Sequence, residues 1–205
     1  MNDIGSIREE INQMAEWVLS MLIDTFDAFM KQDLDKLAGV LKKENQLNDM
    51  ERALSFSLVE ISKDKSKAVD SRYIGLLAEI IADLEEIGDY VKDMIERIEI
   101  KIQEKLFFSE DALSEYTHLY NAVQTALSDV VKSLKMDDKN FAKRILGDEE
   151  HIDSLLVRYR NTHTKRLILG VCDPRAGNMF LNLLDFTAQI FHHTRSVANN
   201  ILDLK

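Results

Sequence analysis

The sequence predicts an all-α protein of six helices, arranged as two tandem three-helix bundles related by internal duplication. Three observations support this. Only one Pro and seven Gly occur in 205 residues, so few breakers interrupt long elements. Apolar residues step by three and four along almost the whole chain. The two halves also repeat: a shift of 105 lays Asp33 on Asp138, Val40-Leu41 on Ile145-Leu146, Glu44 on Glu149, Leu47 on Ile152 and Asn48 on Asp153, and a shift of 103 lays Ile81 on Leu184, Gly88 on Phe191, Asp89 on His192 and Val91 on Thr194.

The first helix is read from Ile4, Ile7, Ile11, Met14, Val18, Met21, Thr25 and Phe29, with Ser6 and Glu9 as its expected capping pair. After Gln32-Asp33 a second stripe runs through Leu37, Val40, Leu47, Leu54, Leu58 and Ile61, and the polar stretch 62–67 is expected as a solvated turn. The third helix keeps a seven-residue repeat through Ile74, Leu77, Ile81, Leu84, Gly88, Val91, Ile95, Ile98 and Ile102. Gly88 sits on its seam. A mid-helix glycine costs about 0.5–1 kcal/mol against alanine, so it signals a neighbour that needs the room.

Ser109-Glu110-Asp111 opens the fourth helix with a polar cap and first-turn acids, and its stripe is Leu113, Tyr116, Tyr120, Val123, Leu127, Val130 and Leu134. A single fifth helix is expected through Phe141, Ile145, Ile152, Leu155 and Tyr159, ending at Gly170. Asp173-Pro174 then caps and starts the sixth, which holds Phe180, Leu183, Leu184, Thr187, Ile190, Phe191, Val197 and Ile201. Residues 1–107 form the first expected bundle and 108–205 the second.

Composition narrows the function. A net charge of −10 repels phosphate backbones, so nucleic acid is not an expected partner. One cysteine, Cys172, makes neither an internal disulfide nor a zinc cage, which fits a reducing cytosol, and no apolar run reaches the ~18–20 residues that span a bilayer. The chain is expected to be soluble and cytoplasmic, with no N-terminal leader. Neither a phosphate-cradling glycine loop nor a nucleophile turn is present. A ferritin-like oxidase needs a Glu-x-x-His pair on each of two helices, and only Glu115 with His118 matches.

The candidate site comes from position. With each helix in its own heptad frame, Glu44 and Asn48, Glu85 and Asp89, and Glu149 and Asp153 occupy the same flank sites, where the sixth helix has Ala188 and His192. Side chains four residues apart are neighbours on a helix surface, and two carboxylates there repel and want a cation. Glu44, Asn48, Glu85 and Asp89 would meet in the first bundle, and Glu149, Asp153 and His192 in the second, each set able to hold one divalent ion. The competing reading is a solvated acidic face neutralised by Lys42, Lys43 and Lys92. A basic run, Arg158 to Arg166, could meet an anion or acidic partner, or simply complement the end of its helix dipole.

Asp83-Leu84-Glu85-Glu86-Ile87-Gly88-Asp89 resembles the signature helix of the phosphate-uptake regulator family PhoU, and the duplicated three-helix plan agrees. His163 to Gly170 followed by Phe180-Leu181-Asn182-Leu183-Leu184 is similar, more narrowly, to the PhoU-like domain fused to bacterial sodium/phosphate cotransporters. The resemblance implies two bundles, a tendency to form homodimers, iron or zinc held by paired acids at Glu85, Asp89, Glu149 and Asp153, and no catalytic turnover. It implies partners as well: a membrane phosphate transporter, either a cotransporter carrier domain or an ABC transporter ATPase, and a sensor histidine kinase, met at the inner face of the plasma membrane. The departures at Asn48, Ala188 and His192 point to one ion per bundle, or none, rather than a cluster. Rival readings are a structural homodimerisation module and a metal-dependent helical-bundle enzyme.

Overall fold

A computed structural model describes residues 3–63 and 69–204. All regular structure among them is helical. The segments run α1 (Ile4–Lys31), α2 (Leu34–Lys63), α3 (Ser71–Gln103), α4 (Glu110–Met136), α5 (Lys139–Gly147), α6 (Glu149–Ile168) and α7 (Pro174–Asp203). Of the turn expected at 62–67, Ser62 and Lys63 still belong to α2, and 64–67 lie outside the described residues.

The stripes read from the sequence are buried almost throughout, on α1 from Ile7 to Phe29 and on α7 from Phe180 to Ile201. Two local expectations are corrected. The cap of α1 is Asp3, whose carboxylate accepts the Ser6 amide at 2.8 Å, while the Ser6 hydroxyl donates to Glu10 rather than serving a capping box. The fifth helix is not continuous: α5 and α6 meet at Asp148, a turn residue at φ −91° and ψ 0° that belongs to neither. Gly147 lowers the cost of the break, and Asp148-Glu149-Glu150 places three carboxylates where a new helix N-terminus favours them. In the first half the equivalent of Asp148 is Lys43, inside unbroken α2, and there the Trp17 indole donates to the Lys43 carbonyl at 3.0 Å.

Duplication shows in backbone detail. Gln32 and Asp137, 105 apart, both take the left-handed conformation, at φ 56° and 52°. Asp33 and Asp138 follow them and accept amides from the next helix's first turn, Lys36 and Asn140, at 2.9 Å. Asp70 and Asp173, 103 apart, cap α3 and α7.

α1, α2 and α3 pack on one another, as do α4, α5, α6 and α7, and α3 on α7 with α1 on α4 join the halves around one continuous core. The α3–α7 pairing is antiparallel and approximately two-fold. Asp83 meets His193 at 2.9 Å and Tyr90 packs on Phe186 with ring centroids 6.4 Å apart, and the 103 shift exchanges these two contacts. Likewise Arg72 reaches Asp203 at the far end of α7, and Arg175 reaches Glu104 just beyond α3. Between α1 and α4, Phe26 stacks on Tyr120 at 3.9 Å, and the Tyr120 hydroxyl donates to the Leu22 carbonyl at 2.7 Å. No helix among the described residues is long and apolar enough to cross a membrane.

Candidate functional site: a carboxylate groove between α2 and α3

Gly88 decides how α2 meets α3. A Cβ there would fall well inside contact distance of Leu47 Cδ2, so the missing side chain lets α2 settle against α3. The packing reading of the seam glycine holds. This close approach puts the flank residues one turn away on facing helices.

Four oxygen-bearing side chains come together around it. Glu44 is buried, at 3% exposure, because it lies on the same row as Val40 and Leu47 rather than at the helix edge. Its Oε1 accepts from Asn48 Nδ2 at 2.9 Å and from Lys92 Nζ at 2.9 Å. Asn48 Oδ1 is itself buried with no hydrogen-bond partner among the described residues. Burial pushes the Glu85 carboxyl above its usual range, with the Asp89, Glu86, Glu51 and Glu44 carboxylates adding to the shift. Asp89 is pushed up by burial too; Lys92, 3.7 Å away, pulls it down and Glu44 pushes it back up. In both, burial is the leading cause and neighbouring carboxylates add to it, so the charged forms are disfavoured in the groove.

Lys92 is therefore the resident cation, its ammonium stabilised first by the hydrogen bond to Glu44. Of the three lysines named for a neutralised face, only Lys92 enters the groove; Lys43 pairs with Asp24 at 2.7 Å instead. No three or more His, Cys, Asp or Glu among the described residues form a ready-made metal cluster. In the first half the side chains offer the donor types a hard divalent cation takes, three carboxylates and an unsatisfied amide oxygen, without being gathered at coordination distance.

The second half differs. Glu149, the counterpart of Glu44, is bound by Arg195 of α7, the counterpart of Lys92, so the same carboxylate–cation pair recurs across the duplication. Asp153 and His192 are exposed, and the His192 ring lies against that of His193, with centroids 5.3 Å apart. Glu149, Asp153 and His192 form no cluster, and these residues do not fit a metal. Sequence reasoning passed over Arg195, although the 103 shift from Lys92 points directly to it.

Elsewhere the chemistry-bearing residues are engaged in structure. Arg166 holds Glu115 in a two-pronged pair at 3.1 and 2.5 Å, and His118 meets the Tyr159 hydroxyl at 2.7 Å. Arg160 pairs with Asp185, so much of the basic run is spent on this chain's own acids. His163 is buried against Phe180, ring centroids 4.4 Å apart, and burial, then the Arg166 charge, lower its pKa.

Comparison with known proteins agrees with the helical plan and the signature. A family profile described as PhoU domain matches residues 11–98, which span the groove. Over that stretch the chain is similar to the PhoU domain. The Escherichia coli phosphate-specific transport system accessory protein PhoU is 30% identical over 156 residues, covering 74% of this chain and 62% of that protein. The PhoU homolog of Clostridium acetobutylicum is 23% identical over 78% of this chain and 73% of its own length. The crystal structure of PhoU from Pseudomonas aeruginosa superposes with a TM-score of 0.88 at 21% identity, over 98% of this chain and 96% of the other. That of the phosphate transport system regulatory protein PhoU from Streptococcus pneumoniae gives 0.84 at 13% identity, over 98% and 93%. The PhoU fold thus extends beyond the matched segment to both halves. The relatives' names describe accessory and regulatory proteins of phosphate transport, not enzymes.

Proposed function

We propose that the chain is a non-catalytic regulator of phosphate transport, working by docking to a membrane phosphate transporter, with a divalent or trivalent metal in the first-half groove modulating the docked shape. The observation that carries this is the match to the PhoU domain profile over residues 11–98 together with the facing carboxylates inside it, whose charged forms burial and one another disfavour. Glu44, Asn48, Glu85 and Asp89 are the residues that would hold the ion, and a bound ion supplies the charge that Lys92 alone does not. Because the carboxylates lie on two helices, neutralising them changes how tightly α2 and α3 close. Residues 1–107 and 108–205 are the duplicated units, and the second is a framework whose groove Arg195 fills.

Metal analysis of protein purified without chelator tests the metal half. About one iron or zinc per chain is expected, lost in Glu85→Ala/Asp89→Ala and kept in Asp153→Ala. Metal-free wild type removes that half of the reading. Retrieval of a phosphate transporter, as carrier or ABC ATPase, from membranes by the wild-type chain tests the docking half; recovery of the chain alone would favour a homodimerisation module.

A further inference from the structure

The two halves part company where Trp17 stands. Its indole joins α1 to α2: Nε1 donates to the Lys43 carbonyl at 3.0 Å, and Lys43 Nζ lies 5.6 Å from the ring centroid while bonding Ser20 and Asp24. The shift of 105 carries Trp17, Ser20, Asp24 and Lys43 onto Ala122, Thr125, Asp129 and Asp148. All four of these line a cavity of about 190 Å³ between α4 and the α5–α6 break.

The cavity is the volume that shortened side chains leave. Trp17 and the buried Met21 both have alanine as counterpart, at 122 and 126, whereas Val40 and Ser20 gain one carbon each as Ile145 and Thr125. Two carbons do not replace an indole and a thioether chain, and the walls of an unfilled volume forgo their packing contacts. The floor is apolar, with Ala126, Ile145 and Ile152 buried. The rim is polar and reaches solvent through Thr125, Asp148 and His151. At the rim the Asp148 side chain makes no capping bond to α6.

We propose that this cavity binds a small planar bicyclic ring of the indole class, carrying an N–H, in the volume that Trp17 fills in the other half. Size fits: an apolar cavity of about 150 Å³ holds a benzene ring, so this one suits a slightly larger ring system. An acceptor is in place, because the Asp148 carbonyl, counterpart of the Lys43 carbonyl, takes the Ile152 amide at 3.1 Å and has a second lone pair for the ring N–H. Charge narrows the class. The cation over the Trp17 ring, Lys43, is replaced by the carboxylate of Asp148, and Arg144 and Lys132 are held by Asp129. A neutral ring is therefore favoured over a phosphorylated or carboxylated one. The inference goes beyond the docking reading and needs neither its metal nor its transporter, so either can fail without the other.

The test is titration of the purified chain with indole, followed through the alanine methyl NMR signals of methyl-labelled protein. Saturable shifts are expected at Ala122 and Ala126 and none at Ala15 or Ala28, which are buried in the first half. Benzofuran, the same shape without the N–H, should bind about three- to ten-fold more weakly. Ala122→Trp supplies the ring from the chain itself and should abolish the response at Ala126. Ala122→Leu, a smaller filling that serves if the larger residue prevents folding, should weaken binding at least about five-fold. The proposal is overturned by no saturable shift, as for a cavity that holds water alone, by shifts scattered over both halves, by benzofuran binding as well as indole, or by binding that the folded variants leave unchanged.

Discussion

At the scale of single residues, the informative side chains are those whose charge the surroundings resist. Glu85 and Asp89 are pushed above their ordinary values of 4.5 and 3.8. A raised pKa in a folded carboxylate means that the native state holds the proton more tightly than the unfolded chain does. The charged form therefore costs stability above the raised value, and the cost fades as pH falls toward the ordinary one. Solvent screens Asp89, about half exposed, so the effect is modest. With chelator present, Glu85→Gln/Asp89→Asn should raise the melting temperature at pH 7 by about 1–4 °C and leave it unchanged near pH 3.5. Thermal melts at the two pH values check this; a lower melting temperature at pH 7 would mean that the pair is already compensated. The flank pattern identified Glu44, but its burial was missed because an acid between Val40 and Leu47 was read by polarity instead of by row. Lys92 is one of three lysines the sequence offers to the acidic face, and the approach of two helices is what selects it and brings Glu51 near Glu85.

Among elements, the meeting of α2 and α3 depends on one absent methyl group. Gly88→Ala gains helix propensity of about 1 kcal/mol but drives Leu47, fully buried, off its packed position. Overpacking of this kind costs about 1–3 kcal/mol, so the expected net runs from about zero to a loss of about 2 kcal/mol. A double-mutant cycle with Leu47→Ala checks the origin: the alanine at 88 should be tolerated far better once Leu47 is gone, and additive losses would place the strain elsewhere. The contrast between α2 and the α5–α6 pair belongs to this scale too. Both were read as single helices because their apolar stripes are continuous. Only Gly147-Asp148, two poor helix formers in succession, hints at a break, and the continuous apolar stripe on either side outweighs it. The break sits at the counterpart of Lys43, where Trp17 secures the first half.

For the whole molecule, the halves are repeats but not independent bodies, since α3 with α7 and α1 with α4 bury surface that neither half covers alone. Residues 1–107 expressed alone would uncover the ring of Phe26 and the stripes facing α4 and α7. Analytical ultracentrifugation of that fragment should show self-association or aggregation; a folded monomer would contradict the single core. The sequence by itself determined the helical class, the duplication, nearly all of the core stripes and the identity of the paired acids, because periodicity and capping are local and a helix reports its buried face through spacing of three and four. Tertiary structure alone decided which cation answers each acid, that the second groove is filled by Arg195, and that a cavity stands open beside Ala122 where Trp17 fills the first half. Those outcomes depend on the angle and depth at which helices meet, set by packing among residues far apart in the chain, which no local pattern encodes.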